Sequence, residues 1–323
     1  MKIRMLLAVA TLAFGATGSV HAQQFPARTV KFIVPFPPGG GVDIVIRAVA
    51  AELTERWKQA VIVENKPGVG SIVGAEAVAK SAADGYTLLA TVNQTITANR
   101  FLFKSLPYDP DKSFAPVTIM VRSDQMVLAK AALPARDLRE LVALARREPG
   151  RLNYGSYGNG SQPQLAFELL NNREKLEIVH IPYKGIAPLL TALSAGEVDL
   201  ATGSANVAMG LIKGGRVKPL AAAGKDRLPQ FPDLQTAAEQ GFPWLNVSIW
   251  YGLFAPAGTP AQVVAKISED VRAVLRTPAF AERHATSKGL EVVASSPQDV
   301  GAVVRDEVAV LAEMVRAARI EPE

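Results

Sequence analysis

The sequence predicts an α/β fold in two lobes, each a mainly parallel sheet flanked by helices. Three observations predict it. Apolar strand-like segments alternate with amphipathic helical ones along most of the chain. The rhythm breaks once, in RLPQFPDLQTAAEQGFPW (227–244), and then resumes. A length of 323 residues is enough for two domains.

The elements follow in order. TVKFIVPF (29–36) is an almost unbroken apolar run, the pattern of a strand buried on both faces. A helix is predicted from Asp43 to Trp57, where Ile44, Ala48 and Ala51, and Val45, Val49 and Leu53, recur at three and four. Strand AVIVEN (60–65), helix SIVGAEAVAKSA (71–82) and strand YTLLATV (86–92) complete the first series. A second series has helices over 137–148, 163–173, 187–195 and 205–213. Its strands are LNYGS (152–156), EIVHIPY (177–183), VDLATG (198–203) and VKPLAAAG (217–224). After the proline-rich break come strand SIWYGLFAP (248–256) and two long helices around a last strand LEVVAS (290–295), the second of them over 298–318. The terminal helices have no large sheet of their own, so they are expected to cover the first series. The expected division is therefore residues 23–124 with 251–323 in lobe 1 and 125–250 in lobe 2. The chain would cross between them near 117–130 and 245–256. Clefts at such interfaces are favoured ligand sites.

The first 22 residues read as a secretory signal peptide. Lys2 and Arg4 precede the apolar core MLLAVATLAF, and VHA (20–22) supplies small residues before a cleavage point at Gln23. The core is too short to span a bilayer. The expected location is the periplasm. No cysteine occurs, which excludes disulfides, thiol catalysis and lipid attachment through cysteine.

The net charge is +5, and removing Lys2 and Arg4 leaves 33 basic against 30 acidic residues. The basic residues are scattered, so nucleic acid is not expected as a partner. A mildly positive body suits small anions, although many proteins of this charge bind none.

The stretch PFPPGGGVD (35–43) joins a strand to a helix with almost no chemically active side chain. Pro37 and Pro38 stiffen the exit, and Gly39, Gly40 and Gly41 permit positive φ and close approach to the backbone. Asp43 is expected at the helix N-cap, a role that asparagine also fills. Free N–H groups at such a helix start favour an anion. A tight connection with no ligand would use the same residues. A second glycine-rich turn, YGSYGNGSQPQL (154–165), enters a helix of the other series and adds Asn159, Ser161 and Gln164.

Enzymatic signatures are thin. GVGSIVG (68–74) is one residue too long for a dinucleotide fingerprint. No G-K-[ST] phosphate loop and no G-x-S-x-G elbow occurs. His180 falls in an apolar strand and His284 on a late helix, both read as structural positions, and no histidine pair has zinc spacing. YDPDKSF (108–114) reads as a turn rather than a metal loop. No cofactor, metal or catalytic residue is expected.

These segments resemble the periplasmic substrate-binding receptors of tripartite tricarboxylate transporters, the Bug-type proteins. The resemblance covers the mature chain. It rests on VKFIVPFPPGGGVDIVIR, VIVENKPGVGSIVGAEAVAKSAADGYTLL, LPYDPDKSFAPV, YGSYGNGSQPQLAFELL, VHIPYKGIAPLLTALSAGEVDL, FPDLQTAAEQGFP and WYGLFAPAGTP, in that order. It implies a hinged two-lobed receptor for a small organic anion, a monomer that delivers its ligand to a membrane permease. Alternatives are a receptor that presents its closed form to a signalling partner, and a periplasmic enzyme. The resemblance implies ligand contacts from Phe36, Gly40, Gly41 and Asp43 in the first turn. Tyr157, Asn159, Gly160, Ser161 and Gln164 would contribute from the second. Asn93 and Thr95, after the third strand, and Asn206, after VDLATGS, would line the same cleft. Two departures are expected to matter. Val42 stands where such receptors often have Thr or Ser, and Gln164 where they often have His, so polar groups near the ligand are lost.

Overall fold

The computed structural model describes residues 25–158, 161–183, 185–318 and 321–322. The expected signal peptide lies outside the described residues, as do Asn159, Gly160 and the side chain of Asn206.

The first series forms β1 (Val30–Val34), α1 (Gly41–Trp57), β2 (Val61–Asn65), α2 (Ile72–Ala79) and β3 (Thr87–Val92). Two short helices follow, α3 (Asn93–Ile96) and α4 (Asn99–Leu102). A long strand, β4 (Phe114–Lys130), leads into the second series: α5 (Leu138–Arg147), β5 (Asn153–Ser156), α6 (Gln162–Glu174) and β6 (Val179–Pro182). Then come α7 (Ile186–Ala195), β7 (Leu200–Ser204), α8 (Ala205–Lys213) and β8 (Val217–Ala222). The chain ends with β9 (Ser248–Pro256), α9 (Ala261–Leu275), α10 (Pro278–His284), β10 (Glu291–Val292) and α11 (Pro297–Ala318).

The strands lie in the order β2-β1-β3-β9-β4-β7-β5-β6, with β10 and β8 also paired to β4. Each end of this path is parallel: β2-β1-β3 on one side and β6-β5-β7 on the other. The strands that join them, β4 and β9, are antiparallel to their neighbours. Along β4 the partner changes between Asp124, opposite Ser248 of β9, and Gln125, opposite Ser204 of β7. One strand thus belongs to both sheets.

Separate cores flank the two sheets. One packs Val45, Ile46, Val49 and Leu53 of α1 against Phe32, Leu88 and Leu253 of the strands and against Ile267 and Val271 of α9. The buried face of α1 therefore runs through Val42, Val45, Ile46, Val49, Ala50 and Leu53, while Ile44 is exposed. Asp270 fastens α9 to α1, accepting from Trp57 Nε1 at 2.6 Å, Arg56 Nε at 2.7 Å and Lys266 Nζ at 2.6 Å. Burial opposes its ionisation, yet these donors hold its carboxyl below the usual range. The second sheet buries Tyr154, Phe167 and Leu170 on one face and Leu189, Leu193 and Ala208 on the other.

The last helix does more than cover the first sheet. Val300 and Val304 of α11 pack on the first sheet with Ile33 and Trp250. Leu311 and Met314, farther along, pack on Leu165 and Leu169 of α6. So α11 spans both halves, a contact that hydrophobic periodicity alone does not assign.

Candidate functional site

The two glycine turns lie at the carboxyl ends of β1 and β5, each leading into a helix start. Helix α1 begins at Gly41, with Gly40 as the extended N-cap and no side chain capping it. Only Gly39 of the three glycines takes positive φ, at 84°. The first amides of a helix have no intrahelical acceptor, so this end carries partial positive charge.

Asp43 is not the N-cap. It sits inside the first turn of α1, is 3 % exposed, and reaches back to accept the Gly39 N–H at 2.9 Å. Its other bonds come from Arg47 Nε at 3.0 Å and Asn65 Nδ2 at 2.9 Å. Arg47 in turn donates to Asn65 Oδ1 at 2.7 Å, and Asn65 donates to Phe36 O at 3.0 Å. Burial works against the charge of Asp43, but the bonds from Arg47, Gly39 and Asn65 outweigh it and lower its pKa. Both oxygens are committed, so Asp43 shapes the turn and presents no free oxygen to a ligand. The expected departure at Val42 also changes meaning. Val42 is 4 % exposed and packs in the core beneath α1, so its side chain is not in the cleft.

Gly41 has a specific reason to be glycine. A methyl added there would lie 2.3 Å from the Tyr251 hydroxyl and 3.0 Å from its Cζ. Tyr251, on β9, was not among the sequence candidates. It packs partly on the first core beside Phe36 and Val92. Tyr157, in the second turn, packs on the core of the other sheet beside Ile181 and Tyr183. Burial raises the Tyr157 hydroxyl pKa, and the neighbouring Tyr251 raises it further. Across the seam, Gln162, where the second turn enters α6, donates to Ser248 O of β9, the strand that carries Tyr251.

His180 organises the second turn. Its Nε2 lies 2.7 Å from Ser156 Oγ, and its Nδ1 lies 3.2 Å from Gln164 Nε2. Ser156 Oγ donates to Gly158 O at 2.9 Å and accepts from Gly158 N at 3.2 Å. With Gln164 donating, Nδ1 is an acceptor and Nε2 carries the proton toward Ser156. Tyr154 stacks between His180 (5.0 Å, 23°) and Phe167 (4.6 Å, 22°). Burial lowers the His180 pKa and favours this neutral form. The serine–histidine pair superficially resembles a nucleophile and its base. However, Ser156 is fully buried and Nδ1 faces an amide rather than a carboxylate. The pair holds a turn. Gln164 thus does not strip the region of polarity, because it partners a histidine from β6. Ser161 is 3 % exposed, and its hydroxyl donates to Gly158 O at 2.6 Å.

The remaining candidates are held in scaffolding. Thr95 is fully buried, its hydroxyl 2.5 Å from Thr91 Oγ1 and 2.6 Å from Ser71 Oγ, so the side chain does not open to the cleft. Asn93 is 4 % exposed and donates through Nδ2 to Ser248 O at 3.1 Å and to Glu307 Oε1 at 2.7 Å. Gln162 of α6 donates to the same Ser248 carbonyl. Glu307 of α11 also accepts from Trp250 Nε1 at 2.6 Å and Thr97 Oγ1 at 3.1 Å. Burial raises the Glu307 carboxyl above its usual range despite these three donors. This knot ties α3, β9 and α11 at the point where α6 of the second half arrives.

Two surface cavities lie elsewhere. One, of about 360 Å³, is lined by Lys130, Arg151 and Asp199 at the opposite end of the second sheet. The other, of about 450 Å³, is lined by Glu52, Phe280 and His284. Among the described residues no group of three His, Asp or Glu side chains is placed to hold a metal. No described helix is long and apolar enough to cross a membrane.

A profile for the tripartite tricarboxylate transporter family receptor matches residues 45–320. The chain belongs to that family. A UPF0065 protein of Bordetella pertussis is 36 % identical over 320 residues, 99 % of this chain and 98 % of that one. Among solved structures, the R. palustris protein with adipate has a TM-score of 0.83 at 32 % identity, covering 93 % of this chain and all of that one. MatC from Rhodopseudomonas palustris, with bound malate, has a TM-score of 0.78 at 34 % identity, covering 90 % and 100 %. The fold is that of the two-lobed periplasmic binding proteins, and this family is one of substrate-binding receptors that are periplasmic.

Proposed function

We propose that this receptor binds a small organic carboxylate between its lobes and delivers it to a membrane permease. The mature chain would act as an exported monomer without catalysis, the hinge lying where β4 changes sheets. Lobe 1 would comprise residues 23–124 and 251–323, and lobe 2 residues 125–250. One observation carries the reading. The amide-rich start of α1 has no N-cap side chain and lies against Tyr251 of β9, a strand that Gln162 of the second half reaches. Such a start favours an anion. The relatives solved with adipate and with malate support a carboxylate in particular. Backbone N–H groups of Gly40 and Gly41 would take one carboxylate, with Phe36, Tyr157, Asn159, Gly160, Ser161 and Asn206 around it.

The test is a calorimetric titration of the mature protein against a panel of mono-, di- and tricarboxylates, with thermal melting alongside. A bound carboxylate is expected to raise the melting temperature by mass action. A panel that leaves both heat and melting unchanged refutes the proposal.

A further inference from the structure

We propose that Tyr251 is a direct ligand contact: its hydroxyl and that of Tyr157, from opposite lobes, donate to the carboxylate at the start of α1. This inference rests on the carboxylate reading above and adds residues to it.

The geometry begins with Gly41. The Tyr251 hydroxyl is so close to this first helical residue that even a methyl group could not fit beside it. The phenol therefore stands beside the unsatisfied amides of a 17-residue helix. Among the described residues neither the Tyr251 nor the Tyr157 hydroxyl has a hydrogen-bond partner. Both residues are only partly buried and their hydroxyls reach solvent, so each is free to donate to a bound ligand. Tyr251 is thus an uncommitted donor beside an anion-seeking helix start, and Tyr157 an uncommitted donor in the second glycine turn.

Charge supports the same chemistry. Arg47, one turn along α1, is committed to Asp43 and Asn65, so it is not a free cation at the turn. Burial raises the pKa of both phenols, which keeps them protonated as donors at neutral pH. A carboxylate would accept from helix amides and two neutral hydroxyls. Tyr251 is rooted in the first core and Tyr157 in the second. A ligand touching both makes its full set of contacts only when the lobes approach, which is the condition for a ligand to drive closure.

The experiment uses Tyr251→Phe and Tyr157→Phe in the full mature chain, with malate and adipate as probes and the carboxylate panel behind them. Apo melting of Tyr251→Phe is expected to match wild type, because the hydroxyl has no protein partner to lose. Affinity is expected to fall about 10- to 100-fold, the value of one hydrogen bond to a charged group. The same split is expected for Tyr157→Phe. Wild type that binds a carboxylate while Tyr251→Phe binds it equally well overturns the inference alone. A loss of affinity matched by a loss of apo melting also overturns it, because the hydroxyl would then serve packing. Wild type that binds no carboxylate in the panel overturns the underlying reading and this inference with it.

Discussion

Replacing Asp43 by asparagine separates two accounts of the first turn. As an N-cap, asparagine would serve as well as aspartate. In the structure it cannot. Oδ1 accepts from Asn65 Nδ2 and Arg47 Nε, while Oδ2 accepts from the Gly39 amide and the same Arg47 Nε. Asparagine keeps one acceptor oxygen and puts an NH₂ group against a donor at the other. One bond to a charged acceptor is lost, worth about 1.5–3 kcal/mol. The ion pair with Arg47 adds little, about 0–1 kcal/mol, since the arginine side chain is 47 % exposed and water screens it. The expected loss of stability is therefore about 1.5–4 kcal/mol at neutral pH. Urea unfolding should show a lower midpoint at an unchanged slope. Acid supplies the control. A carboxyl with a lowered folded pKa stabilises above its unfolded value and loses that contribution as pH falls through the folded one. The gap between wild type and Asp43→Asn should thus narrow below about pH 4. A variant within about 0.5 kcal/mol of wild type at neutral pH, or a gap that persists in acid, refutes the argument.

Gly41→Ala should leave the unfolding free energy within about 1 kcal/mol, since a helix start tolerates alanine, yet weaken malate or adipate binding in calorimetry by displacing Tyr251. Equal affinity would show that the tyrosine yields without consequence. Glu307→Ala should cost about 2–4 kcal/mol in chemical denaturation, because Trp250, Asn93 and Thr97 lose their shared acceptor. The raised carboxyl makes stability fall as pH rises from its unfolded to its folded value, and a Glu307→Gln series over pH should lack that fall. X-ray scattering should give a smaller radius of gyration at saturating carboxylate than without it; equal radii would argue against lobe closure.

The sequence by itself determined the alternation of strands and helices, because hydrophobic period is a local property. The strand TVKFIVPF and the helix from Asp43 were legible as the elements now seen at Val30–Val34 and Gly41–Trp57. The two glycine turns were legible too, since glycine and proline mark turns wherever they stand. Side-chain roles within those turns were not. Asp43 looked like a cap because its type and place fit one, but Asn65, from the next strand, drew it inward. Thr95 stood at the end of a strand facing the expected cleft, and a hydroxyl from Ser71 enclosed it. Tyr251 lies 210 positions after Gly41 and meets it only because β9 inserts between β3 and β4. Glu307 reaches Asn93 because α11 doubles back along the seam. Such partners are chosen by sheet order and by where the chain crosses. No periodicity within one segment carries that information, so only the tertiary structure decided which polar groups are used up by the scaffold and which remain to meet a ligand.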